Sequence, residues 1–479
     1  MTQAVRTVAE DDLNKFLRWL ESEPADEAVD DLDALRAHLR VWRASERDGV
    51  MSRRCLDAAA ERGLDISARI RAQLHEAHLP LPRSLHVAAT QVSRVLIDIA
   101  RELQALGRDA LGHRALGLCH ESFLVSVMSA ANPPDDLWRF AHGAAKGLSR
   151  DVSYDAMLLI AAAQPESFTA RQLAWLADFL AIELAEVALP ADDAVSGSVW
   201  WVDPAEDSGP VSAARKLVPE NEPVHRFSAA GLARVLGERI QYLEQRVADA
   251  EVVGEMTDVE MFDEGDKALP PGLTPVEMLS LLRTLRERWA SAPLREQPRR
   301  THHYGVQVCL GLRALWELGR GRREAGRVRD WQVLNESPGG YAVMNIVGVE
   351  GEVAAGIVLG LRRQSGDPWT VCVVRWVRSD NPDQIELGLQ VLALSYSVAQ
   401  VAFRGANVRS IAPALMLPIM DPLRRHPAFI VPMGTYASRR FVFVRDGEHL
   451  YVAQGRALGL DMQTSTVELF QYEIDPYPI

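Results

Sequence analysis

The spacing of apolar residues changes along the chain, and the change separates two kinds of structure. In the first 250 residues apolar side chains recur every three or four positions, as in Leu13, Phe16, Leu17 and Leu20. That spacing is typical of an amphipathic helix. From Val306 onward the period falls to two and β-branched residues dominate, which is typical of strands. The pattern predicts a helical N-terminal half and a β-rich C-terminal half.

The helical half contains several segments with this spacing, followed by a change of character. The predicted helices lie near residues 32–42, 84–106, 113–129, 167–184 and 228–247. Their arrangement as a bundle or as a helical repeat stays open, because no clean 34-residue signature occurs. Val199–Val202 is a strand-like run with two tryptophans, interpreted either as a docked pair or as a platform for stacking a ligand.

An acidic segment and a well-capped helix join the two halves. Residues 251–272 are rich in Glu and Asp and end in Pro-Pro-Gly, which is typical of an interdomain linker. Thr274, Pro275 and Glu277 then form a capping-box signature. The helix that follows ends near Pro293. Packing on a neighbouring barrel and pairing with a second copy of the chain are both open for its apolar face.

The β-rich half contains a turn of special composition, Asn335-Glu-Ser-Pro-Gly-Gly340, between two apolar runs. Asn and Ser bond to local backbone, Pro fixes φ, and the glycines supply either a positive φ or room for a close approach. Some thirty residues upstream lies a basic cluster. Its members are Arg295, Arg299, Arg300, His302 and His303.

This order of basic lead, strand, Asn-x-Ser-x-x-Gly turn and Gly-x-Gln strand resembles the PilZ domain over residues 295–392. PilZ domains are small β-barrels that bind the bacterial second messenger cyclic di-GMP. The resemblance implies that Asn335 and Ser337 bond a guanine or a phosphate, that Gly340 allows the turn, and that the arginines form a mobile clamp. Arg295 and Arg299 have the Arg-x-x-x-Arg spacing. The distance to the next strand favours a register that begins at Arg299, with Arg300 beside it and His303 in the place of the second arginine.

Residues 393–479 again alternate strand-like runs with residues typical of turns. This pattern predicts a second small barrel or sandwich. Strand candidates include Phe429–Val431 and Arg440–Val444, with a two-residue hairpin turn within residues 445–448. The Asn-x-Ser-x-x-Gly turn does not recur here, so we assign this segment no ligand.

Composition and charge narrow the classes of function. A net charge of −13 argues against a nucleic-acid or acidic-membrane binder, and no run approaches the length of a membrane span. Four widely spaced cysteines are typical of buried thiols in the cytoplasm. Nucleotide-loop and nucleophile motifs do not occur, and His75 and His78 have no third metal ligand in view. We expect no catalysis, metal or cofactor.

These observations predict a multidomain α+β protein. It has an all-α domain at 1–250, a linker and helix at 251–294, a PilZ-like antiparallel barrel at 295–392 and a second β-domain at 393–479. The expected function is a cytoplasmic bacterial receptor for cyclic di-GMP whose helical domain binds an unidentified protein partner. The alternative is a scaffold protein whose degenerate barrel binds no ligand.

Overall fold

The computed structural model describes the chain apart from residues 1–13, 45–48, 107–108, 191–195, 221–222, 254–272, 274, 293–297, 323–327, 346–352, 404–410, 437, 446–449 and 476–479. The chain forms two compact units. The first comprises Met1–Pro165, Thr169–Gly237 and Leu285–Leu294; the second comprises Glu166–Phe168, Glu238–Thr284 and Arg295–Ile479. Most of the predicted acidic linker, the capping residue Thr274 and the predicted hairpin turn after Arg445 lie outside the described residues.

Helices account for most of the N-terminal half, as the spacing of apolar residues predicts. They are residues 14–20 (α1), Ala28–Ala44 (α2), Gly49–Glu76 (α3), Arg83–Ala105 (α4), Asp109–Met128 (α5), Leu137–Ala145 (α6), Val152–Ala162 (α7), Ala170–Glu183 (α8), Ala230–Val253 (α9) and Pro275–Ala290 (α10). In α4 the side chains at positions 85, 88, 92, 96, 99 and 103 are buried, and this stripe packs between α3 and α5. The long helix α3 was not among the predicted segments.

Local signals explain where particular elements begin. Thr169 and Gln172 form a capping box at the start of α8. A small sheet follows the helices α1–α8, with strands Val199–Val202 (β1), Val211–Ser212 (β2) and His225–Ser228 (β3) in the order β2-β1-β3. Trp200 and Trp201 are both buried in it, as expected of a docked pair.

The second unit contains two closed, antiparallel, six-stranded barrels. The strands of the first barrel are Arg300–Leu310 (β4), Val328–Ser337 (β5), Gly340–Asn345 (β6), Val358–Arg362 (β7), Thr370–Asn381 (β8) and Gln384–Ala393 (β9). Their order around the barrel is β4-β5-β6-β9-β8-β7, and pairing of β7 with β4 closes it. A short helix, Leu312–Gly319 (α11), connects β4 to β5.

The second barrel has the same strand order as the first. Its strands are Ser397–Phe403 (β10), Ala412–Leu417 (β11), Ala428–Pro432 (β12), Arg440–Arg445 (β13), Tyr451–Gln463 (β14) and Val467–Ile474 (β15). They run β10-β11-β12-β15-β14-β13 around the barrel. Five phenylalanines and Tyr472 fill much of its interior. The open choice between barrel and sandwich is therefore resolved as a barrel.

The two barrels share one hydrophobic core cluster, with α11 packed between them. Leu312 and Leu315 of α11 belong to the same buried cluster as Leu415 and Ile430 of the second barrel. The indole N–H of Trp316 donates to the carbonyl of Ala399 at 2.7 Å. Neither barrel is therefore packed independently of the other.

Helix α10 also contacts a barrel through its N-terminal half. Ser280 Oγ donates to the carbonyl of Gln463 at 2.9 Å, and Arg283 donates to the Gln463 side chain at 3.3 Å. These contacts are with the second barrel, to which Gln463 belongs. All four cysteines are free and buried, as predicted. Among the described helices, none combines the length and apolarity needed to cross a membrane.

Candidate functional site

The Asn-x-Ser-x-x-Gly turn forms the end of the β5–β6 hairpin. Asn335 is the third-last residue of β5 and Ser337 is the last. Pro338 and Gly339 form the exposed two-residue turn, and Gly340 begins β6. Ser337 pairs with Gly340, and the Ser337 hydroxyl lies 3.4 Å from the carbonyl oxygen of that glycine. A bulge between Val333 and Asn335 shifts the register just before the motif. The hairpin thus presents two short polar side chains close to its tip.

Gly340 has a steric role, which is one of the two roles that the sequence leaves open for the glycines of the turn. A Cβ at this position would lie 2.1 Å from the carbonyl oxygen of Leu389 on β9, well inside any normal contact. Gly340 pairs with Gln390 on that strand. The described glycines with positive φ do not include Gly340. The glycine is therefore required by the close approach of β9 rather than by the turn.

Strand β4 brings the basic cluster against the hairpin. In the β4–β5 ladder Arg300 is the partner of Glu336, and Thr301 is the partner of Asn335. Directly paired residues in an antiparallel ladder have Cα atoms about 4.5–5.5 Å apart. Arg299 precedes the strand, and both Arg299 and Arg300 are exposed. Arg295 lies outside the described residues.

The start of β4 changes the interpretation of His303. The sequence places the beginning of the strand at Val306, but β4 begins at Arg300, six residues earlier. His303 therefore lies within the strand, exposed, in a bulge between Thr301 and Tyr304. The early start follows from pairing, because Arg300, Thr301 and Tyr304 gain ladder partners on β5 that the period-two pattern could not reveal.

A cluster of interacting side chains lies beside the motif and was not predicted. The Tyr304 hydroxyl donates a hydrogen bond to the carboxylate of Glu336. Glu336 is the residue between Asn335 and Ser337 in the sequence. Arg363, just after β7, donates to the Tyr304 oxygen at 3.1 Å and lies 3.5 Å from the same carboxylate. His302 Nε2 lies 3.5 Å from the other Glu336 oxygen. This Glu336 cluster joins β4, β5 and the β7–β8 connection.

The electrostatics of the Glu336 cluster follow from these contacts. Burial and the hydrogen bond to Glu336 raise the pKa of Tyr304 to about 12, so the phenol stays a donor near neutral pH. Its hydrogen bond to Tyr304 raises the pKa of the Arg363 guanidinium above the ordinary value, so that group stays charged. With Arg300 and Arg363 beside the single carboxylate of Glu336, these groups carry more positive than negative charge.

The sequence signals for these extra residues were of unequal strength. Tyr304 and Glu336 could have been suspected, since one follows the basic cluster and the other lies inside the turn motif. Arg363 gave no signal, because it is 27 residues beyond Glu336 and joins the site through closure of the barrel by β7 on β4.

The arrangement suits an anionic ligand that also offers hydrogen-bonding bases. Guanidinium groups bond phosphate oxygens or a guanine edge in pairs. The Asn335 amide and Ser337 hydroxyl add neutral donors and acceptors, and Asn335 Oδ1 is a buried acceptor without a hydrogen-bond partner. Within the described residues, groups of three or more His, Cys, Asp and Glu suited to a metal ion do not occur.

Known proteins resemble the chain in both of its halves. The family described as Cyclic-di-GMP receptor FimW, N-terminal domain, matches residues 14–191, and that described as Cyclic-di-GMP receptor FimW, middle PilZ domain, matches residues 317–397. The cyclic-di-GMP receptor FimW of Pseudomonas aeruginosa is 26% identical over 143 residues. The alignment covers 29% of this chain and 23% of that relative, which is less than a quarter of its length.

The matched PilZ segment contains the β5–β6 hairpin and begins after the basic cluster at 295–303. The resemblance inferred from the turn motif is thus confirmed for the hairpin, together with the multidomain α+β fold class. The chain is thus similar to the cyclic-di-GMP receptor FimW family in most of its helical half and in much of its first barrel.

Proposed function

We propose that this protein is a bacterial receptor for cyclic di-GMP and that the ligand binds where the start of β4 meets the β5–β6 hairpin. The observation that carries the proposal is the β4–β5 register, which sets Arg300 and Thr301 opposite Glu336 and Asn335. The basic lead and the turn motif, 35 positions apart between Arg300 and Asn335, are thereby neighbours in space. The name of the matched relative, a cyclic-di-GMP receptor, supports the same ligand.

Cyclic di-GMP carries two phosphates and two guanines, and the side chains of the site can bind both kinds of group. Arg299 and Arg300 bond the phosphates or stack on a purine, and both side chains are exposed for that contact. Charge-assisted hydrogen bonds of this kind contribute about 1.5–3 kcal/mol each. The arginine pair therefore supplies a large part of the affinity.

The hairpin supplies the fixed part of the site. Asn335 Oδ1, buried and without a partner, accepts from the N–H groups of a guanine edge. The Ser337 hydroxyl rotates from its long contact with Gly340 to bond a phosphate or base. Gly340 keeps β6 close to β9, so that the hairpin holds both side chains in place.

We further propose that Arg295 and Arg299 are the functional Arg-x-x-x-Arg pair. Both precede β4, whereas the register that begins at Arg299 would place its second position, His303, inside the strand. The Arg295–Arg299 spacing thus keeps both arginines of the motif in the lead before the strand. His303 then contributes at most a bond from its exposed ring.

The helical N-terminal half is the part of the chain that would pass the signal on. We propose that the helical N-terminal half, which matches the N-terminal domain of the same receptor family, contacts a protein partner. The protein would act in the cytoplasm as a binding protein without catalysis, either as a monomer or as a homo-oligomer.

The test is calorimetric titration of the full chain with cyclic di-GMP. We expect micromolar or tighter binding, and a loss on the order of 100-fold in the Arg299→Ala/Arg300→Ala variant. Arg439→Ala/Arg440→Ala is the matched control, because these are adjacent exposed arginines at the start of β13 in the second barrel. Equal loss in both variants would contradict the site. Absence of binding by the unaltered protein would favour the scaffold alternative.

A further inference from the structure

Arg363 is held beside the motif while most of its side chain stays in solvent. Its guanidinium lies over the Tyr304 ring, 4.4 Å from the centroid, and donates to the Tyr304 oxygen at 3.1 Å. Its side chain is nevertheless 63% exposed, compared with 26% for Glu336. A guanidinium with one face on an aromatic ring and its remaining donors in water is available to a ligand.

The position of this guanidinium is fixed by both strands of the proposed site. Tyr304 belongs to β4 and Glu336 to β5, and the hydrogen bond between them ties the two strands together. Arg363 contacts both of these residues from the β7–β8 connection. An arginine already ordered by stacking and hydrogen bonding loses less conformational freedom when a ligand binds.

The charge around Glu336 leaves a positive excess. Glu336 is the ladder partner of Arg300, and its carboxylate lies 3.5 Å from the Arg363 guanidinium and 3.5 Å from His302 Nε2. One carboxylate cannot balance the charges of Arg300 and Arg363 together. The excess favours an anion with more than one charge.

We infer that Arg363 is a third arginine of the dinucleotide site and that its guanidinium bonds a phosphate of the ligand. This inference rests on the proposed function. Successive side chains of a strand point to opposite faces, so Glu336 lies across β5 from Asn335 and Ser337. Arg363 therefore reaches the ligand around the end of the hairpin. A ligand with two phosphates and two bases contacts both sides of that end.

The opposing interpretation is that Arg363 only pairs with Glu336 on the surface. The two interpretations differ in what removal of the side chain changes. An ion pair this exposed contributes little to stability, so Arg363→Ala should unfold within about 2 °C of the unaltered protein. A ligand contact changes the affinity instead.

The experiment is calorimetric titration with cyclic di-GMP of the full chain and four variants. We expect Arg363→Ala to bind roughly tenfold more weakly, and Arg363→Lys to fall between, because lysine keeps the charge but lacks the planar fork. Arg313→Ala is the charge-matched control, since its side chain is 80% exposed on α11, beyond the far end of β4. It should bind like the unaltered protein. Arg299→Ala/Arg300→Ala reports on the proposed function itself.

The outcomes separate the two levels of inference. If the double variant loses affinity and Arg363→Ala stays within twofold, the third arginine is wrong and the receptor function stands. If the unaltered protein does not bind, both are wrong. Should Arg363→Ala prove unstable, Arg363→Lys decides: weaker binding at an unchanged unfolding midpoint supports the contact, and unchanged binding overturns it.

Discussion

Replacing Gly340 by alanine tests the packing of the hairpin, because the glycine is required by a neighbouring strand. The added methyl carbon would lie 2.1 Å from the carbonyl oxygen of Leu389. That oxygen is backbone of β9 and cannot rotate away as a side chain could. β6 and β9 would have to separate by roughly an ångström to restore a normal contact.

The expected cost follows from this geometry. Overpacking of a well-packed site costs about 1–3 kcal/mol, and a strained ladder hydrogen bond adds about 1 kcal/mol. The backbone N–H of Val391 donates to the carbonyl of Gly339 at 3.0 Å, immediately beside the clash. This hydrogen bond is therefore the one that the clash would strain most. For a unit of this size each kcal/mol lowers the unfolding midpoint by about 2–4 °C. We therefore expect a decrease of about 5–15 °C.

The assay is thermal unfolding of the full chain with and without cyclic di-GMP. Gly305→Ala is the matched control, because Gly305 is also a strand glycine of the first barrel and a Cβ there meets no atom within 4 Å. We expect that control to unfold at or slightly above the midpoint of the unaltered protein. An unchanged midpoint and ligand response in Gly340→Ala would refute the steric account.

Two further perturbations probe other parts of the chain. Trp316→Phe removes the donor to the Ala399 carbonyl, so we expect a loss of about 1–3 kcal/mol in chemical unfolding, with both barrels still unfolding in one transition; separate transitions would contradict the shared core. Burial lowers the pKa of His142 in the folded protein below its ordinary 6.5. As the pH falls, the unfolded chain therefore binds a proton at His142 before the folded chain does, and the free energy of unfolding decreases below about pH 6.5. Denaturation at pH 7.5 and 5.5 should show this loss, and His142→Gln should reduce it; an equal loss in the variant would contradict the assignment.

The spacing of apolar residues and the residues typical of turns and helix caps predict most of the fold. The change of period near Val306 separated helices from strands, and the capping box at Thr169 marks the start of a helix that the apolar spacing predicted. Helix α11 escaped detection because Leu312–Gly319 is only two turns long and lies between strands, where a few apolar residues fit either period. Whether the last segment closed into a barrel depended on pairing of β10 with β13, which is a contact between distant residues.

The candidate site also has a part that the sequence predicts and a part that it does not. Asn335, Ser337 and Gly340 are close in sequence, so the motif could be recognised from the chain itself. The partnership of Tyr304 with Glu336 and Arg363 depends on the register of β4 and on closure of the barrel by β7. The function of Gly340 also depended on an outside strand, because the clash is with Leu389 and not with its own turn. Distant pairings of this kind cannot be inferred from local spacing.

The central claim is that cyclic di-GMP binds where β4 meets the β5–β6 hairpin. Hydrogen–deuterium exchange of the full chain, with and without saturating cyclic di-GMP, tests it most directly, because backbone amides report the location of binding. We predict slower exchange in peptides that cover residues 298–304 and 333–341, with no change in β13–β15. Protection confined to the second barrel or to the helical half, or no protection anywhere, would contradict the account.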